Sequence, residues 1–349
     1  MTVTAQEGIL SFGPQSARGS LATDFYRHRA TDIDLGVMDD VRLGAPEIGG
    51  IAIPTFPYKA GPVIGGGFTL QPRLEDTLGW LLYGALGAHT PTENPGASGM
   101  YDHEFILGTV PYMTFRKYIP PSDQTLATDL GEIYKDCKIV GMTLNLPNDA
   151  PLTMRVDVIG REFVEDDAAG AWSYENTMES WESIPVACVT NGFIKIGGDE
   201  LPIVAARVGW QNVPLDLRQE RIFGDPFILD VTPVQRVLSF DFTIKWNNPE
   251  LYRQVLTGAI DGTAWTATPF TGSFEVHTLS SVDMPTESEP YSLNILGNSA
   301  MMTQVGGITL AGNQSIMMRF NGTAIESALE YAVFTLRNKA TDYVWPPVS

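Results

Sequence analysis

Apolar and polar residues alternate regularly in several segments of this chain. The clearest segment is 239–246, where two sets of side chains alternate: Phe240, Phe242, Ile244 and Trp246 with Ser239, Asp241, Thr243 and Lys245. A period of two places the apolar set on one face of a β-strand and the polar set on the other. Antiparallel sheets with one buried and one solvated face have this pattern. The alternation therefore predicts a mostly β protein.

A strand followed by a helix is predicted twice, 174 positions apart. Phe68-Thr69-Leu70 recurs as Phe242-Thr243-Ile244, and Leu82-Tyr83-Gly84-Ala85-Leu86 recurs as Leu256-Thr257-Gly258-Ala259-Ile260. Repetition at half the chain length indicates two copies of one supersecondary unit. Apolar residues at helical spacing predict one helix in each copy. They are Leu74, Leu78, Leu81, Leu82 and Ala85 in the first copy, and Tyr252, Val255, Leu256 and Ala259 in the second.

Two local signals extend this prediction. Asn248 is the expected N-cap of the second helix and Pro249 its first residue, where the missing backbone donor does no harm. A β-hairpin is predicted in each half: residues 142–144 and 152–158 flank a turn at 147–151, and residues 308–310 and 316–321 flank Gly312-Asn313. The repeated order of elements supports the duplication.

Glycine, proline and acidic residues divide the chain into four predicted regions. Residues 1–65 are rich in glycine and proline and are predicted to form an irregular N-terminal arm or loop region. Residues 66–165 form a first unit and residues 191–349 a second. The acidic stretch between them, with a linker at 166–190, is the predicted connection. Gly65-Gly66-Gly67 precedes a predicted strand, which indicates a bend where backbones approach closely.

Charge and cysteine content exclude several classes of function. The chain has 41 acidic and 22 basic side chains and a net charge of −19, so a phosphate-neutralising role is disfavoured. Cys137 and Cys188 lie in apolar strand-like segments without metal-site spacing and are predicted to be buried free thiols. The N-terminus lacks the pattern of a secretory signal, and no apolar segment reaches the roughly 20 residues of a membrane helix. No membrane partner is predicted.

Catalytic motifs are not found in the sequence. The histidines His28, His89, His103 and His277 form no zinc-protease motif, and no Gly-x-Ser-x-Gly element occurs. Asp102-His103-Glu104 is not a triad, because neighbours along a strand point to opposite faces. The protein is therefore predicted to be no enzyme and to use no cofactor or metal. The alternative from another class is a β-rich carbohydrate-binding protein or glycosidase, because aromatic and acidic residues can line a sugar cleft.

The order of these patterns resembles that of major tail tube proteins of long-tailed, non-contractile bacteriophages, in a duplicated-length form. The resemblance covers most of the chain from about residue 60 and consists of hydrophobic and turn patterns. The segments that carry it are 66–70 leading into 78–87, Tyr101–Phe105, Val110–Thr114, Tyr134–Ile139, Val158–Glu162, Ile194–Asp199, Gly224-Asp225-Pro226 and the strand-helix copy from Phe240. The long proline-rich N-terminal region departs from the expected pattern.

The resemblance implies a structural virion protein with two tandem β-sandwich or barrel units, each with one flanking helix. Such proteins form rings that stack into a hollow tail tube for DNA ejection. Single-unit relatives form six-membered rings, so a duplicated chain is expected to form a trimeric pseudo-hexamer; a six-chain ring with the second unit outside is the alternative. The implied partners are other copies of the chain, the tape-measure, tail terminator and tip proteins, and passing DNA without specific binding. The implied location is the virion tail, assembled in the host cytoplasm. The tube of a contractile tail or secretion system is a related alternative.

Two sets of residues are candidates for roles in such a tube. Thr153, Asp157, Ser239 and Asp241 lie on polar strand faces and are lumen-facing candidates for a negatively lined bore; the alternative is that they solvate an outer face. Aromatic and proline-rich segments are candidates for ring stacking, because exposed Trp and Tyr often anchor interfaces. These candidates are Pro54, Phe56, Tyr58, Tyr118, Tyr343 and Trp345; the alternative for Trp345 is packing on its own domain.

Overall fold

The computed structural model confirms that the protein is mostly β. The structure describes residues 7–46, 48–51, 53–54, 56–75, 77–94, 99–121, 129–148, 150–175, 187–246, 249–284, 289–305 and 315–345. In the first half, the strands are β1 (Ile9–Pro14), β2 (Tyr26–His28), β3 (Ala30–Ile33), β4 (Gly36–Leu43), β5 (Pro57–Leu70), β6 (Gly87–Glu93), β7 (Tyr101–Leu107), β8 (Met113–Ile119), β9 (Leu130–Leu146), β10 (Thr153–Gly160) and β11 (Glu162–Asp166). In the second half, they are β12 (Ala187–Ile196), β13 (Asp199–Glu200), β14 (Ile203–Pro214), β15 (Pro233–Lys245), β16 (Thr271–Asp283), β17 (Pro290–Val305), β18 (Met317–Ala324) and β19 (Ala332–Asn338). The described helices are α1 (Leu78–Leu86) and α2 (Glu250–Thr257).

One antiparallel sheet runs through both halves of the chain. In the first half its strands lie in the order β4–β5–β10–β9. In the second half they lie in the order β14–β15–β18–β17. Strand β9 pairs directly with β14, so the two runs form one continuous surface. The strand order is thus the same in both halves, whereas the division into tandem units with the predicted boundaries remains a prediction.

The pairing registers of the two runs also correspond. Phe68 lies opposite Val156, and Phe242, at the repeated sequence position, lies opposite Phe320. The sequence matched β10 to β18 as corresponding hairpin strands. They occupy equivalent places, β10 beside β5 and β18 beside β15. The predicted first hairpin, β9 with β10, is confirmed. The predicted strand at 308–310 and its turn lie outside the described residues.

One face of this sheet is buried, and the other is polar. The alternation in β15 is confirmed: Phe240, Phe242 and Ile244 are buried, whereas Ser239 and Asp241 are only half-buried. The rings of Phe240 and Phe274 stack with centroids 3.9 Å apart, which connects β15 to β16 across the core. The buried face therefore forms an aromatic core shared by neighbouring strands.

Helix α1 packs against the joint between the two runs. The side-chain amide of Asn212 on β14 donates to the carbonyl oxygens of Ala85 in α1 (2.7 Å) and Ile139 in β9 (2.9 Å). The Trp210 indole donates to the same Ala85 oxygen at 3.3 Å. These buried bonds fix the end of α1 over the β9–β14 pair. Leu74 is buried as predicted but precedes the helix.

Helix α2 is shorter than the sequence repeat predicted. Gly258 adopts a left-handed conformation (φ +76°) and donates its N–H to Gln254, which ends the helix at Thr257. Ala259 is therefore not part of the helix, and the five-residue match with Leu82–Leu86 places Gly84 inside α1 but Gly258 after α2. Pro249 is the N-cap residue instead of the first helical residue. Asn248 lies outside the described residues.

The prediction of an irregular arm is wrong for much of the N-terminal region. Strand β1 lies between β2 and β8, and Leu10 and Phe12 on it are buried. Strands β4 and β5 form a long hairpin, although β5 contains Pro57 and Pro62. Both prolines lie in the part of β5 that precedes its pairing with β10, where β4 is the only strand partner among the described residues. A proline is tolerated on the side of a strand that pairs with no other strand, because a missing donor there breaks no sheet bond.

Strand β9 belongs both to the continuous sheet of the two runs and to a smaller group of strands. Its N-terminal part pairs with β8 and β11, and its C-terminal part with β10 and β14. Strand β11 occupies the start of the acidic stretch, and residues 176–186 of the predicted linker lie outside the described residues. Cys137 on β9 is buried and free as predicted, while the side chain of Cys188 lies outside the described residues.

The triple glycine lies inside β5 and not before it. Gly66 has φ +117°, and a Cβ atom there would collide with the backbone of Asp34. A Cβ atom on Gly67 would collide with the Val156 carbonyl oxygen of β10. The predicted close approach of backbones is therefore confirmed, and it occurs in the middle of the sheet.

Candidate functional site

The solvated side of the large sheet forms a continuous polar surface, called the polar face below. Directly paired residues of neighbouring strands project to the same side, so the registers define which side chains share it. One row runs across six strands: Thr153, Asn145, Arg207, Asp241, Asn321 and Thr303. Other members in neighbouring rows are Thr143, Arg155, Asp157, Gln211, Ser239, Arg319 and Thr323.

All four lumen-facing candidates lie on this face. Thr153 and Asp157 are on β10, and Ser239 and Asp241 are on β15. Asn145 and Arg207 lie between Thr153 and Asp241 in the shared row. The sequence placed the four residues in two separate halves, and the β9–β14 pairing brings them onto one surface. Whether this surface faces a lumen remains a proposal.

Arginines that the sequence analysis did not select share the polar face. Arg155 donates to Asp34 (Nη2 to Oδ2, 2.8 Å) and to Asp157 (Nε to Oδ1, 2.8 Å). Arg319 donates to Asp241, with Nε 2.8 Å from Oδ1. Their signal was present in the sequence, because Arg155 follows Thr153 and precedes Asp157 at the same period of two. The alternation does not show which side chains form ion pairs, because cross-strand partners are unknown before the register is known.

Hydrogen bonds within these ion pairs shift the pKa values of Asp34 and Arg319. Burial opposes ionisation of Asp34, but the hydrogen bonds from Arg155 and from the Gly67 amide hold the pKa of Asp34 below its ordinary value. The hydrogen bond to Asp241 raises the pKa of Arg319. Asp34 and Arg319 therefore remain charged near neutral pH. On this surface Arg155 is paired with Asp34 and Asp157, and Arg319 with Asp241, while Arg207 lies opposite Asp241 in the register.

A shallow groove of about 450 Å³ crosses the polar face near the β9–β14 joint. Its lining includes Thr143, Arg207, Gln211, Asp241 and Asn321. The groove is lined by hydroxyl, amide and charged groups, and its described lining contains no histidine or cysteine. Among the described residues, no group of three or more His, Cys, Asp or Glu side chains is placed to hold a metal ion.

Three of the ring-stacking candidates lie on the hairpin of β4 and β5. Phe56 is 55% exposed and Tyr58 45% exposed, and their rings lie 6.1 Å apart. Pro54 is exposed in the same connection. Other exposed apolar residues of this hairpin and its tip complete the set, called the hairpin surface below; they are Val41, Leu43, Ile48, Ile51 and Ile53. Several exposed large apolar side chains on one hairpin are typical of an interaction site.

The other stacking candidates are engaged within the chain. The hydroxyl of Tyr118 donates to Asp129 at 3.2 Å. Tyr343 is only 2% exposed, and its ring lies 5.5 Å from that of Trp80 in α1. The Trp345 indole donates to the Gln15 carbonyl oxygen at 3.0 Å, in accordance with the alternative that this residue packs on its own chain. Residues 339–345 thus cover α1 and are called the C-terminal cover below.

Two histidines lie beneath the C-terminal cover. His89 Nε2 is 2.9 Å from His103 Nδ1, and His103 Nε2 is 2.8 Å from the Ala340 carbonyl oxygen. Burial and the neighbouring His103 lower the pKa of His89 to about 4. Burial also lowers the pKa of His103. Both rings are therefore neutral at pH 7 and act as hydrogen-bonding parts of the packing. Asp102 instead pairs with Arg337, which confirms that it does not face the same side as His103.

Comparison with known proteins identifies the family of the chain. Residues 42–324 match the family described as phage tail tube protein. No match is found among curated proteins. In the part of the chain that the structure describes, neither helix has the length and apolar character required to cross a bilayer. The family match spans most of the sequence, from the end of β4 to the end of β18, and the chain therefore belongs to the phage tail tube protein family.

Proposed function

We propose that copies of this chain join edge to edge into closed rings, that the rings stack into a hollow tube, and that the polar face lines the bore. The structural role in a phage tail tube follows from the family. The observation that supports the finer proposal is the continuity of the polar face across both halves of one chain. A surface built from eight neighbouring strands gives each subunit a broad piece of wall without an internal gap.

The proposed ring contains three chains. The two runs have the same strand order and lie side by side in one sheet, so three subunits would present six similar segments to the bore. A ring of six chains with the second half outside would place the two runs in different layers. The direct β9–β14 pairing therefore favours the trimeric pseudo-hexamer.

The proposed bore lets DNA pass without binding it. Hydroxyl and amide groups dominate the polar face, and Arg155 and Arg319 are neutralised by aspartates. Contacts between free cations and DNA phosphates are the main source of nonspecific affinity for DNA. Arginines that are paired with aspartates offer few such contacts. In a chain with a net charge of −19, a negative field in the bore would come largely from acidic residues outside these ion pairs.

The hairpin surface is the proposed contact between stacked rings. Its apolar side chains project from a stiff two-stranded hairpin and would be covered by the next ring. The proposed further partners are the tape-measure protein inside the tube and the terminator and tip proteins at its ends. In this proposal the subunits assemble in the host cytoplasm and function in the virion tail.

Electron microscopy of the purified full-length chain tests the proposal. At high protein concentration, we expect hollow tubes whose rings have threefold symmetry and a sixfold-like wall. Compact single particles under every assembly condition would contradict the tube. Rings of six complete chains would retain the tube but contradict the proposed stoichiometry. A reconstruction with the polar face outside would contradict its place in the bore.

A further inference from the structure

We propose that the contact between neighbouring copies repeats the β9–β14 pairing found inside each chain, and that it places Met38 of one copy opposite Thr303 of the next. This inference rests on the proposed function, because it specifies the register of the ring contact. The partner is a second copy of this chain. The sheet edges and the repeated registers carry the inference.

Both ends of the continuous sheet have edges available for pairing. Strands β3 and β4 pair with β5 on one side, and no other strand pairs with them among the described residues. At the opposite end, β17 pairs with β16 up to Met301, and the Met302 amide donates to Phe270. Beyond this point Thr303 and Val305 have only β18 as a described strand partner. Unpaired backbone donors and acceptors at such edges favour addition of another strand.

Strand β9 shows how the corresponding edge is used within the chain. Its N-terminal part pairs with β8 up to Cys137, as β17 pairs with β16 up to Met301. From Gly141 onward, β9 instead pairs with β14. In the first half this edge is therefore occupied by the first strand of the following run. In the second half, the following run belongs to the next copy.

The registers identify the equivalent residues. Val63 and Val237 hold the same place in the sequence repeat, and they lie opposite Met38 and Gln211 respectively. Met38 is therefore equivalent to Gln211.

The same comparison applies to the other edge. Asp157 lies opposite Gly67 and Asn321 opposite Asp241, which are equivalent in the repeat. Asp157 then pairs with Gly141, and Asn321 pairs with Thr303. Thr303 is therefore equivalent to Gly141.

Gly141 lies opposite Gln211 within the chain. Replacing Gly141 by its equivalent Thr303, and Gln211 by its equivalent Met38, places Thr303 opposite Met38 of the next copy. In the same register, Val305 lies opposite Gly36 of the next copy. Met38 is 59% exposed and Thr303 is exposed, so both are accessible in the single chain. Both project to the polar-face side, so the pairing would continue this face from one copy to the next.

Disulfide formation in assembled tubes tests the register. The double variant Met38→Cys/Thr303→Cys should form a ladder of covalent multimers on oxidation, because directly opposite residues have Cα atoms about 4.5–5.5 Å apart, within the range of disulfides. The variant Met38→Cys/Met301→Cys is the off-register control; its diagonal separation of about 7–8 Å should slow crosslinking at least tenfold. The single variants control for the native cysteines.

A pair within the chain calibrates the reaction. Asn145 lies opposite Arg207 in the β9–β14 pairing, at the same alternation as Gly141 and Gln211. Asn145→Cys/Arg207→Cys should therefore oxidise within one chain at a rate similar to that of the proposed pair. Equal parts of Met38→Cys and Thr303→Cys chains, mixed before assembly, should give covalent dimers that join one chain of each kind.

The outcomes separate the register from the proposed function. If wild-type protein forms tubes but the off-register pair crosslinks faster than the proposed pair, the register is wrong and the tube stands. The same conclusion follows if the proposed pair crosslinks no faster than the single variants. If wild-type protein forms no tubes, both proposals fail. A charge test covers loss of assembly in the cysteine variants: Met38→Glu/Thr303→Glu should reduce polymer yield several-fold, and Met38→Glu/Thr303→Lys should restore it. Equal yields from these two variants would also contradict the register.

Discussion

The two helices follow equivalent strands, yet their environments differ. All residues of α1 except Tyr83 are buried, and the C-terminal cover lies over it. In α2 only Leu251 is buried, and Ile260 and Trp265 after it are 50% and 77% exposed. The strand order is repeated, whereas the elements outside the sheet are not. The two halves therefore share the strand order and register of the sheet. The stability of each helix depends instead on the segments that pack over it.

Truncating a core side chain in each helix gives the largest expected contrast. Leu81→Ala in α1 removes a fully buried side chain and should lower the free energy of unfolding by about 2–5 kcal/mol. Leu256→Ala in α2 removes a half-buried side chain and should cost about 1 kcal/mol. Denaturant unfolding of dilute, unassembled protein measures both. Equal losses would contradict the contrast between the helices.

The C-terminal cover explains this contrast and can be removed separately. Tyr343→Ala should cost about 3 kcal/mol, because the ring is buried against Trp80 and His103. Tyr343→Phe removes only the hydroxyl bonded to Asn338 (2.7 Å) and should cost about 1 kcal/mol. Thermal unfolding of the two variants distinguishes packing from hydrogen bonding.

Tube length then distinguishes cover from ring contact. If Tyr343 and Trp345 contact the next ring, as predicted from the sequence, truncation before Tyr343 should leave folded subunits that polymerise poorly. From the burial of Tyr343, we expect that truncated subunits are also less stable. If the truncated protein unfolds at the wild-type temperature but forms short tubes, the segment acts between rings and not on α1. Unchanged stability and unchanged tube length would contradict both roles.

Sequence patterns predicted the sheet better than its surroundings. Alternation in residues 239–246 and the repeated Phe-Thr motif identified β15 and its equivalence to β5, because a period of two reports directly on which face is buried. The end of α2 was missed because Gly258 resembles Gly84 in a local match, and only the left-handed backbone shows that it ends the helix. Strand β1 was missed because the many glycines and prolines later in the N-terminal region, at 44–62, suggested an arm.

The candidate site was predicted in part for the same reason. Polar strand faces indicated Thr153, Asp157, Ser239 and Asp241, and their shared surface required the long-range β9–β14 pairing. Arg155 and Arg319 were not selected, because an ion pair across strands depends on register. The burial of Tyr343 depends on a contact with α1 more than 250 positions away, which no local pattern reports.

Acidification should destabilise the packing beneath the C-terminal cover more than it destabilises the polar face. His89 has a pKa of about 4 in the folded chain and about 6.5 when unfolded, so only the unfolded state takes up a proton between these values. The contribution of neutral His89 to the free energy of unfolding is fully present above pH 6.5 and is lost as the pH falls toward 4. We expect the melting temperature to fall by a few degrees between pH 7 and pH 4.5. The double variant His89→Gln/His103→Gln should show a smaller pH dependence, although its stability at pH 7 is lower; an unchanged pH profile would exclude these rings as its source.

The smallest expected effects come from the ion pairs of the polar face. Arg319 is 59% exposed, so Arg319→Gln should leave the denaturant midpoint close to that of the wild type, because solvent screens an exposed ion pair. Arg155→Gln should cost slightly more, because Arg155 joins Asp34 on one strand connection to Asp157 on β10. Denaturant midpoints measure both, with Thr323→Ser as a neutral control on the same surface. A clearly lowered midpoint for Arg319→Gln would show that this face depends on its charges for stability. The expected near-neutral result would mean that the sheet does not need this pair for its stability, because an exposed pair that adds so little can be replaced without unfolding the sheet.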